Sequence, residues 1–167
     1  MKNLFVTDRL LIRSANEKDL KFIMGLEQEK ENNAFVFQGT KEEHLDEIRD
    51  KNTFLMIIED KSSQRLEGFI LAGINRKSDV FELRRIVISE KNKGFGKEVI
   101  SGLMKYCFKE LYINRFWLDV FTDNHVGIHL YKQLGMTIDG VLRESHKSGN
   151  QYRDQMIFSI LRNEFFQ

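Results

Sequence analysis

The sequence predicts an α/β fold (α+β in some schemes), with a mixed central sheet and helices on both faces. Three observations carry this. Segments of strand and helix character follow one another in the order β-α-α-β-β-β-α-β-α-β-β, and such a series buries its apolar faces best as helices layered on a sheet. Residues 80–121 run strand, glycine loop, amphipathic helix, strand, a unit that joins parallel neighbours by a right-handed crossover and places ligands near the carboxyl ends of its strands. No repeat, low-complexity tract or linker interrupts the 167 residues, so one domain spanning 1–167 is expected.

Residues 4–13, LFVTDRLLIR, read as a first strand rich in apolar and β-branched side chains. Ser14 with Glu17 three positions on forms a capping-box pattern ahead of a helix whose Leu20, Ile23, Met24 and Glu27 share one face. Thr40 with Glu43 opens a second, short helix carrying His44, Leu45 and Ile48. TFLMIIED and LEGFILAGINR are the next two strands, joined by the polar turn KSSQR, and DVFELRRIVIS is the fourth. After the loop KNKGFG, residues Val99, Ile100, Leu103, Met104 and Phe108 recur at helical spacing, so that helix packs one face on a sheet. NRFWLDVFT is a fifth strand and NHVGIHLYKQL a helix stopped by Gly135. MTIDGVLRES, the turn KSGNQ and YRDQMIFSILRNEF complete a closing hairpin.

Composition narrows the function classes. Apolar residues make up 41% and charged residues 31%, which fits a globular chain and not a disordered one. A net charge of +1 argues against a dedicated nucleic-acid binder, whose footprint would be clearly basic. No apolar run approaches the length of a membrane span, and the first apolar run is broken by Asp8 and Arg9 as no signal peptide would be. Cys107 is the single cysteine and has no internal partner, so a reducing, cytoplasmic setting is expected.

The loop Lys91-Asn92-Lys93-Gly94-Phe95-Gly96-Lys97 stands at a helix start, where unpaired N–H groups and the positive dipole end attract an anion. Glycine there lets the backbone approach phosphate oxygens without a Cβ in the way. It is neither a Walker A loop nor a dinucleotide fingerprint, since Gly-Lys-Ser/Thr is missing and Val99 occupies the third glycine position. Taken alone, the loop reads equally as a helix cap with a solvated lysine face.

Its surroundings resemble a known family. A basic residue, Lys91, followed by Gly94 and Gly96 after a strand, and then Asn124, Tyr131, Leu134, Gly135 and Met136 at fixed spacing, resemble the GNAT superfamily of N-acetyltransferases. TDRLLIR is similar to the opening strand of the branch that acetylates ribosomal-protein N-termini, and GVLRESHKSGNQYRDQMIFSIL to the closing hairpin of that branch and its spermidine acetyltransferase relatives. The loop departs from the common pattern at Lys91, usually Arg or Gln, and Asn92, often Gly; neither change removes a backbone donor.

The resemblance implies a sheet splayed between the fourth and fifth strands, with acetyl-CoA in the V-shaped opening as acetyl donor. Its pyrophosphate would rest on the backbone of Gly94 to Lys97, flanked by Lys91 and Lys93. Its pantetheine would run beside Ile86, Val87 and Ile88 like an added strand. Asn124 would hold a pantetheine amide, or simply cap its helix, and Gly127 would leave room for the cofactor. Attack on the thioester needs a neutral amine, hence a base. Glu82 stands where many relatives carry it and is expected to share a face with Arg84, Ile86 and Ile88. A backbone N–H near Val87 or Ile88 would meet the oxyanion. Tyr131 would protonate the departing thiolate, or pack with Leu130 and Leu134. The reaction would pass through a ternary complex with no covalent enzyme intermediate.

The acceptor implied is a polyamine, a peptide N-terminus or another small amine. The loop after the first helix lines the acceptor groove in such proteins, so Glu27, Glu29 and Glu31 are candidates to attract a cation; the plainer reading is a solvated helix end. A non-catalytic acyl-CoA sensor is the alternative, though binding alone would need neither Tyr131 nor Glu82. His125 and His129 stand at i, i+4 without a third ligand, so no metal site is expected. His44 and His146 have no evident partner and read as exposed or ordinarily hydrogen-bonded, and Cys107 as an inert core thiol. The free edge of the closing hairpin leaves a homodimer open.

Overall fold

The computed structural model describes residues 2–33 and 38–167. Eight strands form one sheet: β1 (Asn3–Val6), β2 (Leu10–Ser14), β3 (Thr53–Asp60), β4 (Leu66–Asn75), β5 (Val80–Ile88), β6 (Arg115–Phe121), β7 (Thr137–Ser148) and β8 (Gln151–Leu161). Their order across the sheet is β1-β2-β3-β4-β5-β6-β8-β7. All neighbours are antiparallel except β5 and β6, which are parallel and joined by the crossover helix α4 (Phe95–Lys109). The other helices are α1 (Leu20–Gln28), α2 (Lys30–Asn33), α3 (Lys41–Arg49), α5 (His125–Gln133) and α6 (Arg162–Phe165).

Two apolar layers hold helices to the two faces, as the sequence predicts. On one face Val99, Ile100, Leu103, Met104 and Phe108 of α4 pack on Ile70, Phe81, Leu83, Phe116, Leu118 and Phe158. On the other, Leu20, Ile23 and Leu26 of α1 meet Ile57, Phe69, Leu71 and Val87, with Leu45 and Ile48 of α3 at the margin. No helix among the described residues is long and apolar enough to cross a membrane.

Three local expectations are corrected. The first strand is two: residues Thr7 to Arg9 turn the chain, with Thr7 N–H donating to the Leu10 carbonyl (2.9 Å) and Leu10 N–H to the Thr7 hydroxyl (3.0 Å). The predicted fourth and fifth strands are therefore β5 and β6. Ser14 ends β2, and the capping box is Asn16 with Asp19, closing one 3-10 turn over Glu17–Asp19. Asp19 wins that role because Arg13 grips its buried carboxylate at 2.9 and 3.0 Å. The last strand stops at Leu161, where the Glu164 carboxylate accepts the Leu161 N–H (2.8 Å) and starts α6. The Thr40–Glu43 box forms as predicted.

A fourth correction bears on the site. Opposite Leu71 and Ala72 of β4 stand Arg85 and Leu83, so Arg84 is an extra residue, a β-bulge. The bulge resets the alternation of β5. Phe81 and Leu83 before it, and Ile86 and Ile88 after it, all face α4, whereas Glu82, Arg85 and Val87 take the α1/α3 side. Glu82 thus does not share a face with Ile86 and Ile88.

At Gly68 of β4 a Cβ would stand 2.1 Å from the Val87 carbonyl oxygen of β5. Backbone cannot yield as a side-chain tip can. Gly68→Ala is expected to destabilise the protein by about 2 kcal/mol, read as a lowered thermal midpoint, through overpacking beside Val87.

Candidate active site

β5 and β6 stay paired only from Val80 with Arg115 to Leu83 with Leu118. Beyond that register the two strands part. β6 continues against β8 as far as Phe121, and β5 against β4 as far as Ile88. The parting opens a cleft of about 130 Å³ at the carboxyl ends of both strands, lined among others by Arg84, Arg85, Ile86, Asp119, Asn124 and Tyr131. Ile86 to Ile88 carry an edge that β6 does not pair, able to accept an extended ligand as a neighbouring strand would.

At the cleft's outer end β5 runs into the glycine loop. Asn92 (φ 66°) and Gly94 (φ 75°) both take the left-handed conformation, which turns the chain just ahead of α4. The helical ladder begins with Glu98 N–H donating to the Gly94 carbonyl (3.2 Å), so the N–H groups of Phe95, Gly96 and Lys97 lie ahead of it. A Cβ on Gly96 would meet nothing within 4 Å, so the space over these donors is open. Lys91, Lys93 and Lys97 are exposed around them, with Lys93 paired to Glu90. Phe95 is buried beneath the loop. An anionic pyrophosphate fits this arrangement of donors, dipole and cations.

α5 supplies the cleft's second wall. Asn124 caps it, its side-chain oxygen accepting the Gly127 N–H at 3.0 Å. A Cβ on Gly127 would crowd that cap at 3.1 to 3.2 Å, so glycine serves the cap here as well as any ligand. Two turns on, Tyr131 tilts against Phe158 with ring centroids 5.6 Å apart. Burial first, and the Asp119 charge second, push its phenol up to about 12.

Asp119 is the residue that sequence reasoning missed. It extends from β6 on the face of Glu82 and hydrogen-bonds Gln155 Nε2 (2.9 Å). Desolvation and the neighbouring Glu82 charge raise its carboxyl above the ordinary range. A signal existed: an acid within RFWLDVF, at the carboxyl end of a strand, sits where α/β sheets bind ligands. Glu82 is not among the residues that line the cleft; it is ion-paired with Arg84 (2.9 Å), which is.

The predicted acceptor acids fare differently. Glu27 is 1% exposed and spent internally: it accepts from Arg85 (2.6 Å) and from Gly39 N–H (3.1 Å), and meets His44 at 3.1 Å. His44, read as exposed or ordinarily bonded, is fully buried, with Glu47 on its other ring nitrogen at 2.7 Å. Glu29 ends α1, and the side chain of Glu31 lies outside the described residues. Glu29 is exposed, and so are Glu43 and Asp46 of α3 and Asp50 just after it, which with the half-buried Glu47 line a groove of about 360 Å³ that shares Arg85 with the cleft. Cys107 is buried, and desolvation raises its thiol well above the ordinary value.

Comparison with known proteins agrees with this geometry. Residues 12–157 match the acetyltransferase (GNAT) domain family. The chain is 25% identical to the spermidine N(1)-acetyltransferase of Vibrio cholerae over 96% of its own length and 97% of the relative's. It is 27% identical to the Escherichia coli K12 enzyme of the same name, covering 92% and 87%. The fold superposes on the Vibrio cholerae spermidine N-acetyltransferase in complex with CoA and spermine with a TM-score of 0.86, at 24% identity, over 95% of this chain and 99% of that one. A Bacillus anthracis acetyltransferase of the GNAT family gives a TM-score of 0.80 at 21% identity, covering 95% and 98%. With the parted strands, the glycine loop ahead of α4 and the family match along most of its length, the chain belongs to the acetyltransferase (GNAT) domain family, whose acetyl donor is acetyl-CoA.

Proposed function

We propose that residues 1–167 act as one unit that transfers acetyl from acetyl-CoA to a primary amine of a polyamine, spermidine or spermine, by direct attack within a ternary complex. The observation that carries this reading is the cleft itself, which joins a protonated phenol, a carboxylate and an unpaired strand edge at one point. The polyamine preference rests on the curated relatives named above and on the acid-lined groove of α3, which would draw a long cation toward the cleft.

Acetyl-CoA supplies the thioester electrophile, and the chain's residues do the rest. Phe95, Gly96 and Lys97 offer N–H groups to the pyrophosphate, with Lys91, Lys93 and Gly94 around them. Ile86, Val87 and Ile88 align the pantetheine along β5, and Asn124 and Gly127 border it at the start of α5. Asp119, whose raised pKa brings it nearer to neutral, takes a proton from the incoming ammonium; Glu82 acts behind it as a charge that sustains that elevation, or as a base through water. Tyr131, at about 12, is a weaker acid than a free thiol at about 8.5. It therefore serves the leaving sulfur as a hydrogen-bond donor to developing charge more than as a ready source of a proton.

The enzyme would work in the cytoplasm. The exposed Ile138, Val141 and Leu142 on β7, one of the two edge strands, offer an edge to a second subunit. The test of the function is thiol release from acetyl-CoA across spermine, spermidine, short peptides with free N-termini and aminoglycosides. Turnover concentrated on the polyamines is expected; turnover on peptides alone would overturn the acceptor, and CoA binding without turnover on any amine would favour the sensor reading.

A further inference from the structure

The cofactor reading leaves one stretch of sequence unabsorbed: Thr7-Asp8-Arg9, the turn between β1 and β2. The fold carries this turn across to the start of α4, far away in sequence. Glu98, on the first turn of α4, receives three donors from it: the Thr7 hydroxyl (2.5 Å), the Arg9 N–H (2.9 Å) and Arg9 Nε (2.7 Å), with Arg9 Nη2 also at 2.7 Å. Arg9 then reaches past Glu98 and donates through Nη1 to the Lys93 carbonyl (2.9 Å). Its guanidinium lies over the Phe95 ring, 4.6 Å from the centroid, and a Cβ on Gly94 would sit 3.6 Å from its Nη2. The turn is tied down in its own right, since Lys61 Nζ donates to the Thr7 and Asp8 carbonyls, both at 2.9 Å.

One side chain thus touches Lys93, borders Gly94 and covers Phe95, three consecutive residues of the anion cradle. That stretch needs an external hold. Asn92 and Gly94 both sit at positive φ, and nothing in the helical ladder fixes the loop before Gly94. α4 does not need Arg9 in order to fold, because Val99, Ile100, Leu103 and Met104 already bury it. The ion pair is also half open to water, with 48% of the Arg9 side chain exposed, so it adds little to global stability.

We propose that Arg9 is a positioning residue for acetyl-CoA. Its fork, oriented by Glu98 and Thr7, fixes the Lys93–Phe95 backbone so that the N–H groups ahead of α4 converge on the pyrophosphate. A lysine could not replace it, since it offers neither a planar fork nor ring stacking. The inference rests on the reading of the glycine loop as the pyrophosphate site.

The experiment measures CoA affinity by calorimetry in the wild type, Arg9→Ala, Arg9→Lys and Gly96→Asp, together with kcat/KM for S-acetylpantetheine, a donor without the pyrophosphate. Arg9→Ala is expected to raise the Kd for CoA about tenfold, close to 1.4 kcal/mol, while kcat/KM for acetylpantetheine stays within twofold. Arg9→Lys is expected to recover little of the loss. Gly96→Asp places a carboxylate among the donors without a steric clash and tests the cradle itself. If Gly96→Asp abolishes CoA binding while Arg9→Ala leaves it within twofold, the role of Arg9 is overturned and the cradle stands. If Gly96→Asp binds CoA as the wild type does, the cradle falls and the proposal with it. Equal losses on both donors, or full rescue by Arg9→Lys, would also overturn positioning in favour of general destabilisation or of charge alone.

Discussion

Tyr131→Phe is expected to lower kcat about a hundredfold, with the KM for acetyl-CoA nearly unchanged, because in the proposed mechanism the hydroxyl acts only as charge develops on the leaving sulfur. Phenylalanine keeps the ring and its contact with Phe158, so a residue that merely packed would show no such loss. The elevated pKa adds a second signature. At about 12 the phenol stays protonated through the whole working range, so the variant should run parallel to the wild type from mildly acidic to mildly basic pH. The Asp119 charge accounts for part of the elevation, after burial. Asp119→Asn should then bring the buried tyrosine's titration down toward the ordinary value, seen in tyrosinate absorbance. Full activity in Tyr131→Phe would remove the residue from the chemistry.

Glu27→Ala carries the largest expected effect on stability, about 3 to 5 kcal/mol by urea unfolding, because it strips the shared partner from a buried cation pair. Arg85 would keep its place on β5 with no carboxylate, and His44 would retain only Glu47. The network also predicts a pH dependence. Hydrogen bonds from the imidazole to Glu27, then to Glu47, raise His44 to about 9 against desolvation. A folded-state value above the unfolded one, near 6.5, stabilises the fold fully below about 6.5 and loses that contribution as pH rises through about 9. The loss amounts to roughly 3 kcal/mol. Wild-type unfolding free energy should fall across pH 7 to 10, and His44→Asn should flatten the fall; an equally steep fall in the variant would assign the dependence elsewhere.

Much of this molecule is legible in its sequence where local chemistry decides the outcome. The periodicity of Val99 to Phe108, the Thr40–Glu43 box, the Gly135 stop and the strand–loop–helix–strand centre are rules of short range, and they hold. The glycine loop and the positions of Asn124 and Tyr131 come from the family resemblance; Asn124 and Tyr131 line the cleft, and the glycine loop follows the end of β5 beyond it. What the sequence hides is set by long-range partners. The charge of Glu27 looks solvated until Arg85, 58 residues away, is brought against it. The Thr7–Arg9 turn reads as mid-strand because its real partner, Glu98, lies 89 residues beyond Arg9. Asp119 is held above the ordinary carboxyl range by burial first and then by the charge of Glu82, a neighbour across the parallel pairing of β5 and β6.

The bulge at Arg84 gives β5 something like a reading frame. Upstream of it the strand addresses acids and guanidinium groups to one side of the sheet; downstream, the same side receives Arg85 and Val87, while Ile86 and Ile88 turn to the other. Substitutions within the strand can be judged one at a time. The frame cannot. Were Arg84 drawn into the ladder with every residue kept, Arg85 and Val87 would change sides with Ile86 and Ile88 all the way to the glycine loop, turning apolar side chains outward and burying charge in their stead. Losing one residue here would instead close the bulge and leave those sides as they are, without the bend that a bulge gives its strand. The extra residue thus shapes the strand, and the two sides hold for as long as it stays outside the pairing.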